Sequence, residues 1–277
     1  MINNIFPNKN TKIYISISQN PGNSGSLFHN TSYKILEMNC IYLPLRINKI
    51  DKLFDILNKF NVRGCSVSMP FKEQVISYLD KFDMDVKKTN SSNTIVVKNN
   101  KFYGKNTDVY GANKILLKLN KMNYNTVLLV GGGGVARSIF YALTKQNYKK
   151  IFVTSRNLDR FKNWPLSKKV EIANWKNIKN IKADLLINAT PLGMINNIRY
   201  KNKSIIKNDY VKNFKSVFDV VVSNSPTMLV NQFKKNNKTV FTGLEMSFYQ
   251  ASKQFEHYTG KKPPIKKIKK LLNYNFT

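Results

Sequence analysis

Val127-Leu128-Leu129-Val130, running directly into Gly131-Gly132-Gly133-Gly134, constrains this chain more than any other segment. These four apolar residues without polar alternation make Thr126 to Val130 an expected strand buried on both faces, the kind found in parallel sheets. The glycines demand a tight turn, and Val135 to about Leu143 then carries a helical pattern. Gly131-x-Gly133-x-x-Ala136 between strand and helix lets the backbone approach a pyrophosphate at a helix N-terminus. A purely structural turn would also use glycine, so the setting matters. Further strands are expected at Ile151 to Thr154, Leu185 to Asn188 and Ser216 to Val221, which makes the glycine turn part of a βαβ unit. A Rossmann-type α/β domain follows, with Gly131, Gly132, Gly133, Gly134, Val135 and Ala136 placed at a nucleotide.

The strand after the glycines bears on which nucleotide. A site for NAD places Asp or Glu about 20 residues beyond the glycines, to accept from the ribose hydroxyls. Here Ile151 to Thr154 runs into Ser155-Arg156-Asn157, with Arg160 close behind. Guanidinium groups bind phosphate in a bidentate, charge-assisted way, so Ser155, Arg156, Asn157 and Arg160 suit a 2′-phosphate. NADP is the expected cofactor. Arginines that merely meet Asp159 or solvent are the plainer alternative, but arginine is scarce in this chain. Asn188-Ala189-Thr190-Pro191-Leu192-Gly193-Met194 follows another strand at the sheet edge where ligands bind, so Thr190 joins the cofactor candidates.

The chain's 277 residues are enough for two domains. Its first hundred residues alternate strands and helices: strands at Ile13 to Ser18, Ile41 to Leu45 and Gly64 to Ser68, and a helix over Ile50 to Phe60. A second helix is expected from Phe71, after Pro70. Ile95 to Val97 and Phe102 to Tyr103 read as a hairpin across Lys98-Asn99-Asn100-Lys101, and a helix runs from Asp108 to about Leu119. From Leu244 the chain turns helical and is expected to pack back on the first domain.

A net charge of +31 would ordinarily point to nucleic acid or an anionic membrane. Only six of the 46 basic residues are arginine, and the lysine excess comes with abundant Asn, Ile, Tyr and Phe throughout. These residues share A/T-rich codons, so compositional drift accounts for the charge. Neither nucleic acid nor membrane is expected as a partner. The lysines of the tail, Lys261-Lys262, Lys266-Lys267 and Lys269-Lys270, read as a solvated helix face. Cys40 and Cys65 sit in apolar runs and, like His29 and His257, show no metal-ligand spacing, so no metal is expected. No signal-peptide pattern and no run of 18 apolar residues occurs, which gives a soluble, cytoplasmic expectation.

Gly64-Cys65-Ser66-Val67-Ser68-Met69-Pro70-Phe71-Lys72-Glu73 ends an apolar strand in a hydroxyl, a proline turn and a lysine. A lysine fixed at a strand mouth can donate or accept a proton at a carbonyl oxygen, and a carboxylate such as Asp108 would orient it. One lysine among many carries little weight alone; its place after strand and proline distinguishes Lys72.

Together these segments resemble the shikimate dehydrogenase family nearly end to end. Val67 to Lys72 is similar to its V-T-x-P-x-K motif, Ser92-Asn93-Thr94 to its VNT and Asn106-Thr107-Asp108 to its NTD. The Gly131 to Arg137 turn is similar to its GxGGxxR-like loop. Gly243-Leu244-Glu245-Met246 with Gln250-Ala251 resembles its G-x-x-M-L-x-x-Q-A ending. The resemblance implies NADP-dependent interconversion of 3-dehydroshikimate and shikimate, on the route to chorismate and aromatic amino acids, by hydride transfer between the nicotinamide C4 and the substrate C3. It implies Lys72 as acid and base and Asp108 as its partner. It further implies Ser68, Asn93 and Gln250 on substrate hydroxyls, Ser24 and Ser26 on the carboxylate, and Val220 and Gly243 near the cofactor. The expected layout is a substrate domain over residues 1–108, an NADP domain over 109–242 and C-terminal helices over 243–277, as monomer or homodimer.

Two segments depart from the family pattern. The carboxylate motif S-x-S-P-x-x-H-N stands here as Ser24-Gly25-Ser26-Leu27-Phe28-His29-Asn30, one residue short and without proline. A tyrosine expected in a D-x-x-Y pattern after Asp219 is Val222. Both resemble the shikimate dehydrogenase-like branch and leave quinate or another cyclic hydroxy acid as an alternative substrate; His29 is given no catalytic role. A rival of another class is a non-catalytic NADP- or polyanion-binding protein.

Overall fold

The computed structural model describes residues 7–195, 197–274 and 276. The chain divides into two compact units, Met1–Tyr110 with Phe248–Thr277, and Gly111–Ser247.

The first unit contains β1 (Lys12–Ser18), α1 (Ser24–Ile35), β2 (Cys40–Arg46), α2 (Leu53–Lys59), β3 (Gly64–Val67), β4 (Lys81–Phe82), α3 (Met84–Thr89), β5 (Thr94–Lys98), β6 (Lys101–Lys105) and the start of α4 (Thr107–Asn120). Its strands form one mixed sheet in the order β2-β1-β3-β5-β6-β4. β1 pairs in parallel with β2 and β3, whereas β5 runs antiparallel to β3 and β6. Successive strand side chains point to opposite faces, and β1 shows both cores. Ile15 and Ile17 pack with Leu53, Leu57, Val67 and Phe71. Tyr14 joins Phe28, Tyr33 and Tyr42 on the other face. Asn99 and Asn100 both have positive φ and close the β5-β6 hairpin as a two-residue turn, with Lys98 opposite Lys101.

The second unit begins within α4 and contains β7 (Thr126–Val130), α5 (Gly134–Thr144), β8 (Lys150–Thr154), β9 (Val170–Ile172), β10 (Ala183–Asn188), β11 (Phe214–Asp219), α6 (Met228–Lys235), β12 (Thr239–Thr242) and the start of α7 (Gly243–Thr259). All six strands are parallel, in the order β12-β11-β10-β7-β8-β9. Counted from β7, this is the Rossmann strand order, with its reversal between β7 and β10. Ligands in such sheets bind beyond the strand C-termini at that reversal, where β7 delivers the glycine turn.

From Phe248 the chain returns to the first unit, as the sequence leads one to expect. α7 and α8 (Ile265–Leu271) supply Phe248, Ala251, Phe255, Tyr258 and Ile268 to the aromatic core around Tyr14, Phe28, Tyr33 and Tyr42. The helix expected from Phe71 is instead a turn followed by a 3-10 segment, Gln74–Tyr78. Phe71 plugs the core, and its amide bonds back to the Ser68 carbonyl at 2.9 Å, so the chain turns before it coils. The α2 helix is shorter than expected and β11 ends at Asp219. Cys40 and Cys65 are both free thiols; burial raises both pKa values, and Cys65 is a core residue.

Candidate active site

The first unit assembles a polar group where β3 and β5 meet α4 and α7. Past β3, Ser68 donates its amide to the Ile17 carbonyl (2.9 Å), and the Met69-Pro70 peptide is cis. The Lys72 carbonyl accepts the Ser92 amide at 2.8 Å, which ties the lysine's backbone to the approach of β5. Its side chain reaches Asp108 in the first turn of α4, with Nζ to Oδ2 at 2.6 Å. Both side chains are nearly buried, at 12% and 7% exposure, so water competes little for this charge-assisted bond.

The other carboxylate oxygen has its own partner. Asn93 Nδ2 donates to Asp108 Oδ1 (2.9 Å) and lies 3.0 Å from Gln250 Oε1 and from Thr107 Oγ1. Asn93 Oδ1 accepts the Thr107 backbone N–H at 2.8 Å. An amide N–H can only donate, so that bond fixes which way the Asn93 side chain faces. Within the Asn106-Thr107-Asp108 triplet, Asn106 anchors the turn through Thr89 Oγ1 (2.8 Å) and the Ser91 carbonyl (2.9 Å). Thr107 holds Asn93 and Gln250, and Asp108 meets the lysine. Four predicted residues, Lys72, Asn93, Asp108 and Gln250, are therefore one hydrogen-bonded group.

The remaining predicted substrate residues stand outside that hydrogen-bonded group. Ser68 is exposed at the end of β3. Ser24 and Ser26 lie in the first turn of α1, where Ser26 Oγ donates to the Asn23 carbonyl at 2.9 Å. A Cβ on Gly25, between them, would stand 3.3 Å from the Tyr42 hydroxyl. His29 is fully buried and stacks on the Tyr42 ring, centroids 4.4 Å apart. Desolvation lowers its pKa to about 3, so it packs as a neutral ring. Sequence reasoning missed Ser66, Tyr42, Tyr258, Thr94 and Gln254, which form a second polar layer behind Asn93. One signal for Gln254 was available: it lies four residues after Gln250 on an expected helix, hence on the same face.

In the second unit, the glycine turn has the shape a pyrophosphate needs. Gly131 has φ +133°, and a Cβ there would come within 2.6 Å of the Ala189 carbonyl oxygen. A Cβ on Gly132 would meet Arg160 Cβ at 2.8 Å, while nothing lies within 4 Å of one on Gly133. Gly133 caps α5 without a side-chain hydrogen bond, so the first-turn amides of Gly134, Val135 and Ala136 have no capping side chain and are suited to an anion. After β8, Ser155 Oγ donates to the Asn157 carbonyl at 2.5 Å, and Asn157 Oδ1 accepts the Asp159 amide at 2.9 Å. This compact turn presents Arg156 and Arg160 at the surface, while Asp159 pairs with Lys162 at 2.8 Å. The residues present thus fit an NADP molecule: an open glycine cradle, an uncapped helix start, Arg160 with its Cβ against Gly132, and exposed Arg156 two residues past β8.

The nearby strand ends form a second ordered loop. Thr190 Oγ1 donates to Asn188 Oδ1 (2.7 Å), whose Nδ2 donates to buried Asp219 at 2.9 Å. Burial raises the Asp219 pKa despite the bonds it accepts from Thr227, Val221 and Asn188. Val220 donates its amide to the Asn188 carbonyl at 3.0 Å, and a Cβ on Gly243 would lie 2.1 Å from the Val220 oxygen, so only glycine fits there. Val222, at the expected tyrosine position, is exposed and brings no hydroxyl. Among the described residues no cluster of metal-ligating side chains occurs, and no helix is long and apolar enough to cross a membrane.

Comparison with known proteins places this geometry. Residues 18–95 match the model of the shikimate dehydrogenase substrate binding domain, 112–219 that of shikimate / quinate 5-dehydrogenase, and 243–272 that of the shikimate 5'-dehydrogenase C-terminal domain. A shikimate dehydrogenase (NADP(+)) of Clostridium beijerinckii is 32% identical over 231 residues, 82% of this chain and 84% of the relative. The chain belongs to the shikimate dehydrogenase family. A shikimate dehydrogenase-like protein of Haemophilus influenzae is 30% identical over 92% of this chain and 93% of its own length. Among solved structures, a shikimate dehydrogenase in complex with NADP+ superposes with a TM-score of 0.84 at 25% identity, covering 98% of both chains. Family membership agrees with the resemblance drawn from the motifs, and the two-unit α/β architecture is that of shikimate dehydrogenases.

Proposed function

We propose that this protein catalyses the reversible, NADP-dependent interconversion of 3-dehydroshikimate and shikimate. The observation that carries the reading is the Lys72–Asp108 pair, held by Asn93 and Gln250 in a family whose relatives are named for this reaction. NADP, when bound, supplies the hydride carrier. In reduction, the Lys72 ammonium donates a proton to the substrate oxygen as negative charge develops on it; in oxidation, the same nitrogen accepts that proton. Asp108 holds Nζ in place, since its other oxygen is fixed by Asn93 and it cannot swing away without breaking that bond. Asn93, Gln250 and Ser68 bind the substrate hydroxyls, and Ser24 and Ser26 the carboxylate. Gly131 to Ala136 and Gly243 shape the cofactor's seat, with Thr190 and Val220 alongside. Ser155, Arg156, Asn157 and Arg160 hold the 2′-phosphate.

Quinate is a second reading, favoured by two features: the α1 start lacks the family's proline, and Val222 removes a hydroxyl. The test is the initial rate of NADP+ and NAD+ reduction by purified protein with shikimate and with quinate. Shikimate with NADP+ is expected to give the highest kcat/KM. A higher value for quinate would transfer the assignment to that substrate, and turnover with neither would refute it.

A further inference from the structure

Gln254 is buried, at 3% exposure, one helical turn beyond Gln250 on α7, and the reaction described above gives it nothing to do. Yet every polar atom of its amide is engaged. Nε2 donates to the Asn93 carbonyl (3.1 Å) and to Thr94 Oγ1 (2.9 Å), while Oε1 accepts from Ser66 Oγ at 3.1 Å. Because a carbonyl only accepts, these bonds leave a single orientation for the Gln254 amide.

The neighbouring bonds continue in one direction. Tyr42 donates to Ser66 Oγ at 2.6 Å, and Ser66, whose proton goes to Gln254, accepts from Tyr258 at 2.9 Å. Burial pushes both phenols up in pKa, so they stay protonated donors. Beyond Gln254, Thr94 Oγ1 donates to Asn93 Oδ1 (2.8 Å) and Asn93 Nδ2 to Asp108 Oδ1 (2.9 Å), and Asp108 Oδ2 accepts from Lys72 at 2.6 Å. Donors thus point the same way from Tyr42 to Asp108, an alignment in which each bond polarises the next. Two bonds from Gln254 fix the residue through which this chain enters the reactive pair.

We propose that Gln254 is a positioning residue for proton transfer: by gripping the Asn93 carbonyl and the Thr94 hydroxyl it keeps the Asn93 amide on Asp108, and Asp108 on Lys72. This deepens the dehydrogenase reading and, for its kinetic test, rests on it. Gln254 as mere filler between α7 and the sheet is the competing account, and it predicts lower stability with unchanged chemistry.

The test compares wild type with Gln254→Met, which keeps size and loses the amide, and Thr94→Val, which cuts the next link. For each folded variant, kcat for shikimate oxidation is expected to fall about 10- to 100-fold, the cost of a small misplacement of reacting groups, with KM changing much less. A wild-type kcat in both, whatever their thermal stability, overturns the proposal. Should Gln254→Met not fold, Thr94→Val decides by the same criterion. Acylation of Lys72 by acetic anhydride, followed by peptide mass spectrometry, needs no substrate and is expected to quicken in the variants relative to the surface lysines. If wild type does not oxidise shikimate, the dehydrogenase reading fails on its own, and an unchanged Lys72 acylation rate separately overturns the role of Gln254.

Discussion

Replacing Lys72 with alanine is expected to lower kcat for shikimate oxidation by about 10²- to 10⁴-fold, the range supplied by a positioned acid or base. On the proposed mechanism the loss should fall on kcat, because the side chain acts on a proton that moves only in the transition state, while the amides of Asn93 and Gln250, proposed to bind the hydroxyls, remain. The variant should fold, since Lys72's backbone bond to Ser92 survives and Val67 and Phe71 keep their core contacts. Its cost in stability arises from Asp108, left nearly buried with Asn93 as its remaining side-chain partner. Steady-state kinetics on folded protein check this. A kcat within twofold of wild type would remove Lys72 from the chemistry.

The double change Arg156→Ala and Arg160→Ala is expected to weaken NADP+ binding by about 100-fold or more and to leave NAD+ binding nearly untouched. Hydrogen bonds to charged groups contribute about 1.5–3 kcal/mol each, so two guanidinium groups on one phosphate suffice for that difference. Arg160 stands beside the glycine turn, its Cβ 2.8 Å from where a Cβ on Gly132 would be, and Arg156 follows directly on buried Ser155. Fluorescence titration with both nucleotides measures the ratio. An equal loss for NAD+ would mean that the arginines support the loop and do not read the phosphate; no loss for either would place the phosphate elsewhere.

The parts of this molecule legible in its sequence are those where one physical demand dominates a segment. β7 reads correctly to the residue because four apolar side chains buried on both faces leave no alternative, and its glycines are required by a positive φ at Gly131 and by the approach of Ala189. The β5-β6 hairpin is equally plain, since Asn99 and Asn100 tolerate positive φ. α1 is less visible: its buried stripe is Phe28, His29, Ser32 and Tyr33, half of it polar, so no apolar period marks it. β4, β9 and β12 escape notice because they are two to four residues long and half exposed at sheet edges. Pro70 suggests a helix start at Phe71, but the bond from the Phe71 amide to the Ser68 carbonyl and the core contact of its ring belong to a turn.

The site divides in the same way. Lys72 and Asp108 are recognisable from chemistry and motif together, and their separation of 36 residues closes into a 2.6 Å contact because β3 and the start of α4 are both tied to β5, by Ser92 and Asn93. The layer behind them is not, because Ser66, Thr94 and Gln254 acquire their importance only when three separate elements bring them into bonding distance.

Shikimate carrying deuterium at C3 provides the most direct test of hydride transfer to NADP. Purified protein is incubated with the labelled acid and NADP+, and the product nucleotide is examined by NMR. Deuterium at C4 of the reduced nicotinamide, with 3-dehydroshikimate formed in equal amount, is the predicted result. No reduced nucleotide, or reduced nucleotide without the label, would contradict it.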